Sequence, residues 1–283
     1  MVVSEFIDVW DSLTFDRDLS AVLANEADLV RNYMTAEDRI FLSYDLGRCP
    51  ERWLTRPENP YASAFGAMQE AIQCHMQSRA IRAWHYTRLT GSEVDELRHK
   101  GIDLSTPTTL RQRLDSLIIS GQLSQQHADA LHSASPFHSD QLESRSNKFF
   151  LVSHPQPIDN PGVEPLMAHW GGEVASMFVK DPALLAPLSV IGKPRVLEVL
   201  VPLALTRSSY TAAGAVIATF GRTLGCIPNG HMFDLWVTAP LAASAILKVH
   251  TESEPSFQAI GRCYPEGYID LDIGHWKELT GED

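Results

Sequence analysis

The chain has 283 residues, of which 44% are hydrophobic and 20% charged, so it is long enough for one large domain or two small ones. Every stretch of about 18 residues contains a charged residue or a turn former, which excludes a membrane-spanning helix. The acidic N-terminal segment does not have the features of a secretory signal. We therefore expect a cytoplasmic protein with no membrane partner. The formal net charge of −12 disfavours binding to extended nucleic acid by bulk charge and leaves only a local basic site open.

The cysteines are Cys49, Cys74, Cys226 and Cys263, and they form no CxxC pair and no close Cys/His ligand set. This spacing argues against a disulfide framework and against a structural zinc site, so we expect no metal. The sequence patterns that mark P-loop, Rossmann, zinc-protease and esterase sites are missing as well. Candidate functional residues must therefore be identified from shorter and less specific sequence patterns.

Residues 1–80 have the composition and periodicity of a helical region. Within the segment 61–80, four apolar residues recur at helical spacing among Ala, Met and Gln: Phe65, Met68, Ile72 and Met76. This spacing predicts an amphipathic helix. Glycine and proline residues punctuate the segment 46–60, which we interpret as a loop.

At Ile81 the sequence changes to IRAWHYTRL, where aromatic and β-branched residues replace the helix formers and predict the first strand. Ser92 is a suitable N-cap for a short helix that ends at Gly101. The chain then returns in an extended piece at 102–105. The predicted order at this point is strand, helix, strand.

The next part of the chain alternates helical and extended segments. Residues 108–138 predict an inserted pair of helices hinged at Gly121. KFFLVSHP predicts a short strand, and 166–179 predicts a helix that contains the pair Gly171 and Gly172. Each glycine costs a helix about 1 kcal/mol relative to alanine, so we expect this pair to permit a close approach of the backbone to a neighbour.

Further strands are predicted in the last third of the chain, at 195–202, 233–238, 246–250 and 268–273. No element is predicted between 202 and 233. Together the segments predict an α+β fold, with an N-terminal helical region at 1–80 and an α+β domain at 81–283.

The first strand carries two polar side chains on one face. Side chains alternate along a strand, so His85 and Thr87 share a face while Tyr86 points to the other. Because histidine offers one donor and one acceptor and threonine can act as either, this pair suits the hydroxyls of a ribose or the carboxamide of nicotinamide. The alternative is a half-buried histidine that bonds a neighbouring loop.

The segment WHYTRLTGSEVDELRHKGIDLS resembles the first strand and helix of the ADP-ribosyltransferase superfamily, in which a histidine and a hydroxyl residue two places on begin the NAD site. KFFLVSHP and the helix after it are similar to the family's central strand and following helix, where an aromatic residue stacks on nicotinamide and a serine closes the pocket. The resemblance covers roughly 82–250 without the inserted helices. It implies an ADP-ribosyltransferase-like pair of small sheets and an NAD site that includes His85, Thr87, Phe150 and Ser153.

The catalytic acid of this family is a carboxylate on a late strand, which stabilises the cation that forms as nicotinamide leaves. Asp234 in FDLWVT matches that place in the order of the strands. Glu198 in RVLEVLVP matches the usual residue type, and a lone carboxylate among apolar strand residues needs a partner. We place Asp234 slightly ahead of Glu198. The alternative for either residue is a charge in water or a partner of Arg195 or Lys248.

Three further charged residues lie near these motifs. Arg82 and Arg88 flank the first strand, where either can meet the diphosphate of a dinucleotide through paired hydrogen bonds or can lie in solvent. Glu173 follows Trp170 and the glycine pair and is an alternative acid. Close packing of helix on sheet is the other explanation of the glycines.

The resemblance implies an NAD-dependent ADP-ribosyltransferase, in the glycosyltransferase class, that moves ADP-ribose to an acceptor and releases nicotinamide. The acceptor is a protein, a nucleic acid or a small molecule, and water as the acceptor makes the protein an NAD glycohydrolase. Two alternatives stay open. One is a catalytically inactive module that binds NAD or a partner on the same fold, and the other is a structural α+β protein of unrelated fold.

Overall fold

A computed structural model of the protein describes residues 6–42, 57–226 and 232–262, and its fold is α+β. The helices are α1 (Arg17–Asn25), α2 (Ala27–Leu42), α3 (Ala62–Gln77), α4 (Gly91–Lys100), α5 (Pro107–Ile119), α6 (Gln125–Ala134), α7 (Leu142–Arg145), α8 (Glu164–Ala168), α9 (Pro182–Leu185), α10 (Ser209–Thr223) and α11 (Pro255–Gln258). The strands are β1 (Ala80–Leu89), β2 (Phe149–Val152), β3 (Lys193–Pro202), β4 (Asp234–Val237) and β5 (Ile246–Thr251).

Short helical turns complete the described elements. They are 3-10 turns at Ser12–Thr14, Pro136–His138, Ala186–Ser189, Leu203–Leu205 and Ala243–Ala245, and a π turn at Glu173–Met177. The predicted strand at 268–273, Cys49 and Cys263 lie outside the described residues. No helix in the described ranges combines the length and the hydropathy needed to cross a bilayer.

The described chain divides into two compact units. The first contains residues 6–42, 57–80, 208–226 and 232, and the second contains 81–207 and 233–262. The first boundary falls where the sequence places it, between 80 and 81. The prediction assigned all of 81–283 to one domain. The structure differs, because the segment 208–226, which contains α10, belongs to the first unit.

In the first unit, α3 packs against α10. The buried residues of α3 are Met68, Ile72 and Met76, which confirms the predicted amphipathic helix. Gly221 of α10 lies against α2, where an added Cβ would come within 2.5 Å of the sulfur of Met34. Glycine at this position therefore leaves room for the end of the Met34 side chain, which would have to move if a Cβ were added.

The helix α10 was missed by the sequence analysis. Most of its residues are buried, including Val216, Ile217, Ala218 and Thr219. Its apolar residues segregate to one side at least as well as those of α3, so the helical period is present in the sequence. The segment also contains β-branched residues and two glycines, Gly214 and Gly221, which are weaker helix formers than alanine and work against a helix prediction.

The second unit contains one sheet with the strand order β4-β2-β1-β3-β5. The pairs β1–β2, β2–β4 and β3–β5 are antiparallel. The family resemblance implied a pair of small sheets, and this expectation was wrong for the described residues. The reason is that β1 is hydrogen-bonded to both β2 and β3, so it joins β4 and β2 with β3 and β5 in one sheet.

Helix α4 follows β1 and begins two residues earlier than predicted. Its N-cap is Thr90 rather than Ser92: the Thr90 hydroxyl accepts from the Glu93 amide at 3.2 Å, and the Glu93 carboxylate accepts from the Thr90 amide at 2.8 Å. The predicted end at Gly101 is confirmed, with a φ of 95°. The extended piece 102–105 forms two isolated bridges instead of a strand.

The inserted helices are confirmed as α5 and α6, and Gly121 between them has a φ of 70°. They bury Leu114 and Leu131 in a cluster that also contains Trp170 and Ala175. A second cluster, which contains Trp84 and Tyr86 of β1, packs against α8 and α11. The first cluster places α5 and α6 against the chain around Gly171 and Gly172.

Candidate functional site

The central strand β1 has two faces of different character. His85 and Thr87 lie on one, which we call the His85 face. Arg82, Trp84 and Tyr86 lie on the other, which we call the Glu198 face because Arg82 is paired there with Glu198. The predicted grouping of His85 with Thr87 is confirmed. Arg82, also predicted to bind NAD, lies on the opposite face.

His85 is fixed in one orientation by the neighbouring strand. Its Nδ1 donates to the carbonyl oxygen of Phe150 at 2.8 Å, so in the neutral ring Nε2 carries the lone pair. Burial and the nearby charge of Arg113 lower the pKa of His85 to about 4, although the Phe150 carbonyl acts in the opposite direction. Among the described residues, no group hydrogen-bonds Nε2. His85 is therefore a neutral side chain that presents an unused acceptor.

The glycine pair lies against the end of β1. The helix predicted at 166–179 was wrong, because α8 ends at Ala168 and both glycines have positive φ, 79° at Gly171 and 60° at Gly172. The Gly171 amide donates to the carbonyl oxygen of Arg88 at 3.1 Å. The expected close approach of the backbone is confirmed, but it occurs in a turn that ends the helix.

Thr87 is the side chain that Gly172 approaches. A Cβ added at Gly172 would lie 3.3 Å from the Thr87 hydroxyl oxygen. Within the described ranges this hydroxyl has no hydrogen-bond partner, although the side chain is almost wholly buried. Glycine at position 172 therefore keeps space beside an unused hydroxyl.

Glu173 and Arg145 extend this arrangement toward β2. Oε1 of Glu173 lies 2.8 Å from Nη2 of Arg145, and the Arg145 guanidinium lies 5.4 Å from the centre of the Phe150 ring. Nε of Arg145 is buried and, in the described part of the chain, has no acceptor. We call Thr87, Gly172, Glu173, Arg145 and Phe150 the Gly172 cluster, since each member adjoins the next.

The aromatic ring beside His85 is that of Phe149, not Phe150. The rings of His85 and Phe149 lie 4.3 Å apart, whereas Phe150 is paired with Trp236 of β4. Consecutive strand residues point to opposite faces, so Phe150 does not share the His85 face. Phe150, predicted to stack on nicotinamide in the same pocket as His85, therefore lies on the other face of the sheet from His85. Phe150 reaches Thr87 only through Arg145 and the turn at Gly172.

Ser153 joins two strands and is fully buried. Its amide donates to the carbonyl oxygen of Phe233 at 2.9 Å, and its hydroxyl accepts from the Phe233 amide at 3.0 Å. These bonds continue the β2–β4 ladder by one residue. The hydroxyl predicted to close the NAD pocket is thus engaged by backbone.

Glu198 is held by partners from two other strands. Arg82 of β1 lies 2.7 Å from one carboxylate oxygen, and Nε2 of His250 on β5 lies 2.6 Å from the other. Burial alone would raise the pKa of the Glu198 carboxyl, but the His250 hydrogen bond and the Arg82 charge hold it below its usual value. Glu198 is therefore a paired charge, but its partners are Arg82 and His250 and not Arg195 or Lys248, which were the partners expected.

Asp234 begins β4 opposite Val152 and is exposed to solvent. Val152 lies two residues from Phe150, so Asp234 belongs to the same side of the sheet as Phe150. The structure therefore brings neither Asp234 nor Glu198 to His85.

A further network joins α4, α5 and the loop after α8. The Glu93 carboxylate accepts from Nε of Arg113 at 2.8 Å and from the indole of Trp170 at 2.8 Å. Burial would raise the pKa of Glu93, but Arg113, Thr90 and Trp170 hold it below its usual value. The T-x-x-E pattern at 90–93 is a sequence signal that could have identified Glu93, but the sequence analysis placed the N-cap at Ser92 instead. No local pattern points to Arg113 or Arg145.

An open cleft lies where β1 meets α4. Its volume is about 460 Å³, and its lining includes Leu89, Ser92, Gly192, Lys193 and Arg195. Gly192 has a φ of 69° and packs on the Leu89 carbonyl, where a Cβ would come within 2.5 Å. The cleft thus carries two basic side chains, Lys193 and Arg195, with Pro194 between them in the sequence. It lies near the end of β1, the strand that holds Thr87.

Comparison of the chain with protein-family models, with curated proteins and with solved structures finds no match.

Proposed function

We propose that the second unit binds NAD at the His85 face and the Gly172 cluster and acts as an ADP-ribosyltransferase. The observation that carries this proposal is the pair of unused polar atoms, Nε2 of His85 and Oγ1 of Thr87, two residues apart on one face of β1 within the described chain. An acceptor and a hydroxyl at this spacing match the hydroxyls of a ribose or a nicotinamide carboxamide. The sequence resemblance points to the same ligand.

The basic cleft suits the phosphates of such a ligand. Leu89 in its lining is two residues from Thr87, which is about 7 Å along a strand. Lys193 and Arg195 supply positive charge within reach of a dinucleotide held by Thr87. Lys193 is the more suitable of the two, because Arg195 already donates to the Thr251 hydroxyl at 2.7 Å and to the Leu89 carbonyl oxygen at 3.4 Å. Arg82 and Arg88 are engaged as well, Arg82 by Glu198 and Arg88 by the carbonyl oxygen of Ile191 at 2.9 Å.

Glu173 is the carboxylate that best fits the role of the acid. It directly follows Gly172, which adjoins Thr87, and in the described structure only Oε1 is paired, with Arg145. In the reaction, the bond between the ribose C1′ and the nicotinamide nitrogen breaks with its electron pair going to nicotinamide. The carboxylate opposes the positive charge left on the ribose until an acceptor bonds C1′ and loses its proton.

The test measures NAD binding and nicotinamide release separately on the purified full chain. We expect calorimetry to detect NAD binding and chromatography to detect released nicotinamide. Glu173→Gln should lower the release rate by about a hundredfold, the effect of losing a well-placed charge-stabilising group, and leave affinity within a few-fold. Asp234→Asn and Glu198→Gln are the matched controls. An absence of both binding heat and thermal shift at millimolar NAD contradicts the proposal.

The second candidate is a module that binds NAD without catalysis. It is favoured by one observation: Glu198 has both oxygens engaged, and neither it nor Asp234 shares the His85 face. Binding without nicotinamide release would support this candidate. A large loss of release in Asp234→Asn alone would instead return the acid to the position that the sequence favours.

A further inference from the structure

Two histidines of the inserted helical segment face each other. Nε2 of His138 lies 3.3 Å from Nδ1 of His132, and the ring planes are inclined at 66°. His132 is half-buried in the last turn of α6, and the exposed His138 ends the 3-10 turn Pro136–His138. Neither residue belongs to the proposed NAD site.

The tautomer of His132 is set by a backbone carbonyl. Nε2 of His132 lies 3.1 Å from the carbonyl oxygen of Pro107. A carbonyl only accepts, so Nε2 carries the hydrogen and Nδ1 directs its lone pair toward His138. Metal-binding histidines commonly have this arrangement, with the second ring nitrogen donating to a carbonyl or a carboxylate.

We propose that His132 and His138 bind a divalent transition-metal ion of the zinc type. Two imidazole nitrogens at 2.0–2.1 Å from a tetrahedral ion lie about 3.3 Å from each other, which matches the observed separation of 3.3 Å. In the structure this contact is a hydrogen bond, in which Nε2 of His138 donates to Nδ1 of His132. The ion would take the place of that hydrogen, which His138 would then carry on Nδ1, a nitrogen with no partner in the described structure. Imidazole is a ligand that suits zinc, copper and nickel.

The site would have open coordination positions. Within residues 6–42, 57–226 and 232–262, no group of three or more His, Cys, Asp or Glu side chains could hold a metal ion. Two ligands from this chain leave at least two positions of a tetrahedral ion for water or for a group from another molecule. The spacing of the cysteines predicted no metal, but this pair contains no cysteine. Five residues separate the two histidines, and the turn after α6 brings their rings together.

The test follows the ¹⁵N signals of the histidine rings in the full-length protein during titration with ZnCl₂. Nδ1 of His132 and Nε2 of His138 should shift together and saturate near one equivalent. His138→Ala should weaken Zn²⁺ binding at this site at least tenfold, since losing even an outer partner of a metal ligand costs 10–100-fold. His99→Ala is the matched control, because His99 is an exposed histidine of α4 bonded only to the Asp95 carbonyl.

The signals at these two rings separate the proposed site from zinc held by thiols elsewhere. Equimolar Zn²⁺ that leaves both rings unshifted overturns the proposal, and so does an unchanged affinity in His138→Ala. Because His138 is exposed, this variant should keep its melting temperature. His132→Asn gives a second check of the same site. NAD binding plays no part in these measurements, so their outcome is independent of the proposed function.

Discussion

Two carboxylate–arginine pairs in the same unit differ in how completely they are bonded. Glu198 has both oxygens engaged, by Arg82 and His250, and its side chain is 12% exposed. Glu173 has one oxygen engaged, by Arg145, and is 26% exposed. The first pair joins three strands, whereas the second lies beside unused polar atoms of the Gly172 cluster.

This difference in bonding suggests different roles: Glu198 stabilises the fold, and Glu173 is available to bind a ligand. A buried carboxylate needs partners for its charge, and both oxygens of Glu198 have one. Removing Glu198 should therefore mainly lower the free energy of unfolding. A carboxylate with an unused oxygen beside an unsatisfied donor, Nε of Arg145, has capacity left for a ligand. The variants below therefore probe stability on the Glu198 face and ligand binding on the His85 face.

The largest effect is expected from Glu198→Ala. Removing this carboxylate takes away its ion pair with Arg82 and its hydrogen bond with Nε2 of His250, which should lower the free energy of unfolding by about 3–5 kcal/mol. Urea denaturation measures the change. Glu173→Ala is the matched control and should cost less than about 1 kcal/mol, as for a partly exposed pair. Equal losses in the two variants would refute the contrast between the pairs.

The neutral state of His85 predicts a pH dependence of stability. Its pKa is lowered from 6.5 to about 4 in the folded protein, so below pH 6.5 the unfolded chain takes up a proton that the folded chain does not. Stability contributed by this residue is therefore present above pH 6.5 and falls toward pH 4.

Urea denaturation at pH 7.5 and at pH 5 checks this sign. The wild-type protein should lose up to about 2 kcal/mol more than His85→Gln between these conditions. The stability that Glu198 contributes also falls as the pH falls. Because Glu198 is present in both proteins, its contribution cancels in the difference between them. Identical pH profiles would show that His85 titrates normally in the folded state.

His85→Ala tests the unused acceptor directly. NAD affinity should fall tenfold or more, because a ligand hydroxyl would lose its partner at Nε2, while the melting temperature stays within a few degrees. Calorimetry and a thermal melt give the two values. If the variant fails to fold, the alternative of a structural histidine is correct. If it folds and binds NAD normally, His85 is not part of the site.

The sequence predicted features that depend on local geometry. Alternation along β1 placed His85 and Thr87 together, and the cost of glycine in a helix pointed to a close backbone approach at Gly171 and Gly172. Both features follow from short-range rules that need no knowledge of the neighbouring strands.

Features that depend on strand pairing could not be predicted. FFLV contains adjacent phenylalanines, and only the register of β2 decides that Phe149 rather than Phe150 lies beside His85. The pairing of Arg145 with Glu173 joins residues 28 positions apart, and no local pattern signals it. The choice of Glu173 as the candidate acid therefore depends on the pairing of distant segments.

The smallest effect is expected from Asp234→Asn. Asp234 is exposed at the start of an edge strand, so the free energy of unfolding should change by less than about 0.5 kcal/mol. Because it lies on the side of the sheet away from His85, NAD affinity and nicotinamide release should also stay within a few-fold of wild type. Urea denaturation and the release assay measure both. A hundredfold loss of release with unchanged stability would assign the acid to Asp234 on β4 and would contradict the assignment of that role to Glu173.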